Sequence, residues 1–267
     1  MSVEAKLYVV ATPIGNLEDI TLRAIRVLGE VDALACEDTR RTRILFEKHG
    51  IRSPQRIFSY REQNEAQAGS RIVGFLAEGR SVALCSDAGY PGISDAGYRI
   101  ISRALAEGLP VEVIPGPGAV LPALLSSGLP TSSFTFKGFL ARKPGPRKRA
   151  LAMERDLPHS LIIYESPHRL AALLRDALET LGNRRAAVCV ELTKRFEQVS
   201  RGTLSELSEQ FAGAPVRGEV TVVIAGNNPK FSAATDGASE EASEEEDSGE
   251  PADASPDDEP SEEVTER

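Results

Sequence analysis

The sequence predicts an α/β protein of two domains: a mostly parallel N-terminal sheet with helices, then a mixed α+β C-terminal domain. Two observations carry this expectation. In the first half, short apolar runs of strand length alternate with segments of helical periodicity, the pattern of crossover units that build parallel sheets. In the second half strands outnumber helices, and the Pro- and Gly-rich residues 115–118 separate the two patterns. The expected domains are 1–116 and 117–227, followed by a disordered acidic tail over 228–267. With 267 residues, 41% of them hydrophobic, the chain can bury a sizeable core.

Taken in order, residues 7–11 form an apolar run fit for a buried strand, and 20–28 carry apolar residues at helical spacing. Further short strands are expected at 32–36, 57–60, 82–85 and 111–114, with helices over 64–77 and 95–106 between them. In the second half, strands are expected at 134–139, 161–164, 186–191, 198–202 and 219–225. Helices fit 147–155, 168–181 and 203–211.

Beyond residue 227 large apolar side chains nearly vanish, so burial cannot offset ordering entropy and disorder is expected. This tail also hides the charge of the body. The chain as a whole carries −9, but residues 230–267 hold 15 acids against two bases. That leaves 29 basic and 25 acidic residues in 1–229, a mildly basic body suited to an anionic partner. The N-terminus has no basic-then-apolar leader, and no apolar run approaches the length of a membrane span, so a cytoplasmic protein without membrane contact is expected. Cys36, Cys85 and Cys189 lie in or at the end of apolar runs and read as reduced core thiols. Neither a CxxC pair nor a His/Cys cluster is present, so no metal site is expected.

Four sets of loops have residue types ill suited to mere connection. The first follows the first strand, where Gly15 allows close backbone approach and Asn16 tolerates unusual dihedrals. Ligands of open α/β sheets bind at such carboxyl ends. It is not GxGxxG, which argues against a nicotinamide cofactor. The second, residues 86–95, places Asp87 where it can accept hydrogen bonds from a ribose diol or an ammonium group, beside bare Gly89 and Gly92. Asp95, at its end, is expected to cap the next helix.

In the third, Pro115-Gly116-Pro117-Gly118-Ala119, stiff prolines and bare glycines can turn backbone groups toward a flat ligand. No P-loop lysine follows. The fourth set consists of strand ends that break into charge: Glu37-Asp38-Thr39-Arg40, Glu165-Ser166-Pro167-His168-Arg169 and Glu191-Leu192-Thr193-Lys194. Such ends collect both catalytic groups and helix caps, and Asp38, Thr39 and Ser166 are cap candidates.

The segments TPIGNLEDITLRA (12–24), EDTR (37–40), SDAGYPGISDAG (86–97), PGPGA (115–119), GLP (128–130), GFL (138–140), YESPHR (164–169), ELTK (191–194) and GEVTVVIAG (218–226) occur in this order. Together they resemble the small-subunit ribosomal RNA methyltransferases of the tetrapyrrole methylase superfamily, over about residues 6–226. The resemblance implies a two-domain tetrapyrrole-methylase-like fold, a homodimer, and S-adenosyl-L-methionine held between the domains. It implies 2′-O-methylation of a cytidine ribose in the decoding region of 16S rRNA, free or in the small ribosomal subunit.

Carried over by motif, Ile14, Gly15, Asp87, Ala88, Gly89, Tyr90, Pro91, Pro115, Gly116, Pro117, Gly118 and Ala119 would line the cofactor. Glu37, Arg40, Glu165, Ser166, Arg169, Glu191 and Lys194 would face the substrate. The chain departs from the family in three places: no His occurs in residues 60–65, Tyr90 stands where Thr is usual, and the acidic tail replaces a Lys- and Ala-rich helical segment.

Methyl transfer to a weakly acidic hydroxyl benefits from a general base. Glu37 or Asp38 is the first candidate and Glu165 the second. Arg40 and Lys194 are expected to hold flanking phosphates. A basic cluster at 142–149, read as a loop because of its Pro and Gly, offers Arg147, Lys148 and Arg149 to the RNA backbone. His49, near a helix end, is expected to meet helix carbonyls, and His168 to be structural. Two rival readings share these loops: a tetrapyrrole C-methyltransferase and a non-catalytic RNA-binding assembly protein.

Overall fold

In the computed structural model, which describes residues 3–213 and 215–229, Leu7–Val10 forms β1 near the middle of a parallel sheet. Its partners are β2 (Ala33–Cys36), β3 (Arg56–Ser59), β4 (Val82–Cys85) and β5 (Val111–Ile114), in the order β3-β2-β4-β1-β5. All the pairings are parallel. β1, β2 and β4 are buried on both faces, which is why each reads as an unbroken apolar run.

Alternation along these strands sends Tyr8, Val10, Leu34 and Cys36 to one face, against α1 (Leu22–Glu30) and α2 (Thr39–His49). Leu7, Val9, Ala33 and Leu84 face α3 (Glu65–Ala77) and α4 (Tyr98–Ala106). Each fully buried Leu or Ile contributes about 1.5–3 kcal/mol to holding these layers together. Helix α2 starts at Asp38, whose Oδ1 accepts the Arg40 N–H at 2.8 Å, and stops at Gly50 in the left-handed region. His49 bonds the carbonyl of Leu17 at 2.7 Å, outside its own helix, which corrects the helix-carbonyl expectation.

The second sheet contains β6 (Phe134–Phe139), β7 (Ser160–Glu165), β8 (Arg185–Val190), β9 (Gln198–Thr203) and β10 (Val220–Ile224), in the order β6-β7-β10-β8-β9. Only β6 and β7 run parallel among these pairs, so the sheet is mixed. One face packs on α6 (Pro144–Ala152), α7 (Leu170–Leu181) and α8 (Leu204–Gln210), burying Leu151, Leu173 and Leu204 among others. The opposite face takes α5 (Val120–Ser127), a helix the sequence reading did not anticipate. Ile14 from the loop after β1 joins that same cluster, so the first functional loop is anchored on the second sheet.

Two expectations change, and a third is not reached by the described residues. Residues 144–152 are helical, because Pro144 sits at the start of α6 where a missing N–H costs nothing. Helix α4 begins at Tyr98 and is capped by Gly97, not by Asp95. Residues 230–267, most of the acidic tail, lie outside the described residues. Among the described residues no helix is long and apolar enough to cross a membrane, and all three cysteines are buried and free.

Candidate active site

The loops after β1, β2 and β4 leave the carboxyl edge of the parallel sheet together and are stitched to one another. Thr12 and Gly89 exchange both backbone hydrogen bonds, at 2.9 and 2.8 Å. The Thr12 hydroxyl donates to the Ser86 carbonyl at 3.0 Å. Between the second and third loops the exchange is reciprocal. The Asp87 N–H donates to Glu37 Oε2 at 3.2 Å, and the Asp38 N–H donates to Asp87 Oδ1 at 3.0 Å. Arg41 Nη1 stands 3.4 Å from Asp87 Oδ2.

A segment from the second sheet closes on this group. The Asn16 N–H donates to Thr193 Oγ1 at 3.2 Å, and Lys194 lies directly over Gly15. A Cβ on Gly15 would fall well inside the van der Waals radius of Lys194 Cγ, so only glycine lets the two loops meet. The Lys194 ammonium is held by Glu191 Oε1 at 2.7 Å and Glu219 Oε2 at 3.1 Å. Among the described residues, Ser94, Glu191 and Thr193 are the non-glycine positions with positive φ, at 62°, 54° and 65°. Glu191 and Thr193 belong to the segment that closes on Gly15, and Ser94 precedes Asp95. Local strain of this kind collects at functional sites.

These loops enclose a cleft of about 230 Å³. Ile14, Gly15, Asp87, Ala88 and Lys194 from the expected set line it, joined by Arg41, Thr42 and Glu219, which sequence reasoning missed. Gly89, Tyr90, Pro91 and residues 115–119 lie outside this lining. Tyr90 and Gly116 are nonetheless tied together: the tyrosine hydroxyl donates to the Gly116 carbonyl at 3.1 Å and accepts its N–H at 2.9 Å. The amide of Gly116 and one lone pair of its carbonyl are therefore engaged by Tyr90.

Asp95 stands outside the cleft lining, with its carboxyl within electrostatic reach of Glu37, Asp87 and Glu219. It caps nothing, and the turn closed by the Gly92 N–H on the Ala96 carbonyl frees it from the helix. Although the residue is exposed, burial of its carboxyl raises its pKa to about 6. Glu37 and Asp87 push in the same direction, as does Glu219. Tyr164, stacked edge-on against Phe136 and Phe139, is raised to about 12 by burial and then by Asp95. The sequence signal lay in Gly92 and Gly97, which bracket the loop and give it a conformation of its own.

Several expected roles are corrected. Asp38 caps α2 and is gripped by Arg40, whose Nη2 lies 2.6 Å from Oδ2. Those bonds hold its carboxyl far below the usual range, which makes it a poor proton acceptor. Glu165 points from β7 into the helix-covered face, with its side chain fully buried and its pKa raised by that burial. It receives the Ser166 N–H at 2.7 Å and lies 3.0 Å from Arg169 Nε. Arg169 in turn donates to the Leu140 carbonyl at 2.6 Å, while Glu165 Oε2 is buried with no hydrogen-bond partner among the described residues. Arg147 is 3% exposed and salt-bridged to Asp176 at 2.5 Å. Lys148 pairs with Glu179 at 2.6 Å. Neither is free for phosphate, whereas Arg149 remains exposed.

The model of the tetrapyrrole (corrin/porphyrin) methylases matches residues 6–208. The chain belongs to this family. Within it, the chain is 48% identical over 224 residues to ribosomal RNA small subunit methyltransferase I of Halalkalibacterium halodurans, covering 84% of this chain and 77% of that protein. It is 42% identical to the protein of that name from Thermotoga maritima, covering 83% of this chain and 98% of the other. Among solved structures, cobalt-precorrin-4 methyltransferase overlays with a TM-score of 0.63 at 16% identity, covering 83% of this chain and 95% of that one. Uroporphyrin-III C-methyltransferase of Thermus thermophilus, in complex with S-adenosylhomocysteine, gives 0.57 at 21% identity, covering 82% and 97%. These two structures share the methylase fold.

Proposed function

We propose that this protein is an S-adenosyl-L-methionine-dependent methyltransferase that 2′-O-methylates a cytidine ribose in the decoding region of 16S rRNA. The observation that carries the reading is the junction of the EDTR, SDAG and ELTK loops around one cleft lined by Asp87, Lys194 and Glu219. The names of the relatives at 42–48% identity support the rRNA substrate.

The cleft fits the cofactor chemically. Ile14, Leu17 and Ala88 offer apolar walls, while the carboxylates of Asp87 and Glu219 complement a cationic sulfonium or ammonium group. When bound, S-adenosylmethionine supplies the electrophilic methyl group. The chain supplies orientation and proton acceptance. We assign the 2′-hydroxyl proton to Asp95, an exposed carboxylate beside the cleft within electrostatic reach of Glu37, Asp87 and Glu219, and Glu37 holds the Asp87 loop. Arg40, whose Nε and Nη2 hold Asp38, is highly exposed at the head of α2 and turns its remaining Nη1 donors to a phosphate beside the target.

The protein acts in the cytoplasm, where its rRNA substrate lies, and works as a homodimer. The exposed Leu121 and Leu125, one turn apart on α5, support self-association. Mapping ribose methylation in small-subunit rRNA from cells with and without the gene tests the function. One cytidine that loses its 2′-O-methyl group with the gene supports the reading, and an unchanged map refutes it.

A further inference from the structure

The cleft does not end at its own walls. Thr42 of α2 lines both the cleft and a second groove of about 310 Å³, bounded by Thr39, Arg43, Phe46, Ser53 and Ile57. Ser53 in turn lines both that groove and a third concavity of about 680 Å³ at the edge of the sheet. The middle groove thus shares one residue with each of the others, and the third lies at the amino ends of β2, β3 and β4, so the series follows α2 from the carboxyl edge of the sheet to its amino edge.

Arginine runs through the whole series. Arg41 lines the cleft, Arg43 the middle groove, and Arg52, Arg56 and Arg80 the last. Arg40 and Arg43 are exposed on α2, while Arg52 and Arg56 flank or begin β3, the edge strand of the parallel sheet. Among the described residues Arg43, Arg52 and Arg56 make no ion pair, so their charge is uncommitted. Of the two acids of the third concavity only Glu30 is paired with a cation, while Asp32 keeps its charge and is held by Ser81. Glu30 pairs with Arg26 at 3.3 Å, and Asp32 Oδ2 accepts both the N–H and the hydroxyl of Ser81 at 2.8 Å.

A row of exposed guanidinium groups that begins at a ribose-modifying cleft matches the chemistry of a phosphate backbone. The helix α6, where the sequence suggested such a surface, has spent Arg147 and Lys148 on α7. We infer that the RNA strand flanking the target nucleotide crosses α2 and lies along the arginine-lined edge at β3, held through its phosphates by Arg43, Arg52 and Arg56. This rests on the proposed rRNA methyltransferase activity, and it adds the path of the substrate outside the cleft.

The test is the full-length chain with Arg43→Gln, Arg52→Gln and Arg56→Gln combined, compared with an Arg142→Gln/Lys143→Gln/Arg149→Gln variant at α6. Binding of a labelled small-subunit rRNA fragment is titrated between about 50 and 200 mM salt, alongside S-adenosylhomocysteine binding and thermal unfolding. The inference predicts that the first variant loses about tenfold or more in RNA affinity and that its salt slope falls by about two. Its cofactor affinity and melting temperature stay at the wild-type values, and the α6 variant changes less. Wild-type affinity and slope in the first variant, or a larger loss in the α6 variant, would overturn the inference. Absence of methyl transfer by the wild-type chain would strike the functional reading instead, and the RNA titration would still decide the path.

Discussion

Glu37 and Asp87 hold each other's loops: Glu37 Oε2 accepts the Asp87 N–H, and Asp87 Oδ1 accepts the N–H of the residue after Glu37. The two strands that carry them, β2 and β4, pair in register at Cys36 and Cys85, immediately before the two loops. The two loops on this side of the cleft are thus tied to each other by their own hydrogen bonds. Asp87→Ala removes the acceptor for the Asp38 N–H and a carboxylate of the cleft. S-adenosylhomocysteine affinity should fall by about tenfold or more, where each tenfold corresponds to ~1.4 kcal/mol. Glu37→Gln keeps an oxygen acceptor and should retain most affinity, whereas Glu37→Ala should not. Calorimetric titration separates the three.

Asp95 makes the rate depend on pH. Its carboxyl is pushed up to about 6 by burial and by Glu37 and Asp87, and only its ionised form accepts a proton. The single-turnover rate should therefore level off above about pH 7 and fall about tenfold per unit below 6. Asp95→Asn should remove that limb and slow transfer by about 10²–10⁴-fold, with RNA and cofactor affinity preserved. A pH profile of Asp95→Asn that still breaks near 6 would assign the limb elsewhere.

Gly15 is where the two halves of the cleft touch. A methyl group there collides with Lys194 and lies 2.9 Å from Thr193 Oγ1, so Gly15→Ala must push the 191–194 segment away. Expected are cofactor affinity lowered by about tenfold or more and the loss of protection of residues 191–194 in hydrogen exchange. Rescue by Lys194→Gly would show that the clash is the cause.

The Arg147–Asp176 pair is a structural prediction, not a binding one. Removing the guanidinium leaves a carboxylate whose side chain is only 12% exposed with Lys148 at 3.8 Å as its remaining cation, so Arg147→Met should cost up to about 3–5 kcal/mol in urea unfolding. Replacing both, with Arg147→Met and Asp176→Leu, should recover much of that loss. Arg149→Gln, on the exposed side of the same helix, should leave stability within about 0.5 kcal/mol.

The sequence made the parallel sheet legible, because strands buried on both faces read as apolar runs, as at 7–10 and 82–85. The Gly15 and Asp87 loops were legible for a related reason: bare or acidic residues directly after such a run have no packing task. Three features were not legible, because each depends on a distant partner. Arg147 looks like a surface cation until Asp176, 29 residues away, is seen to meet it. Glu165 looks catalytic until strand alternation turns it toward α7, while Asp95 looks like a helix cap until Gly97 takes that place. The cleft-lining Glu219 ends up beside Lys194 only because β10 pairs with β8.

The central claim, methyl transfer to a cytidine 2′-hydroxyl, is tested most directly with purified protein, methyl-labelled S-adenosylmethionine and small ribosomal subunits that lack ribose methylation. After digestion of the rRNA to nucleosides, label is expected in 2′-O-methylcytidine, with almost no transfer by Asp95→Asn. Label in a base-methylated nucleoside, or transfer to a tetrapyrrole with none to rRNA, would contradict it.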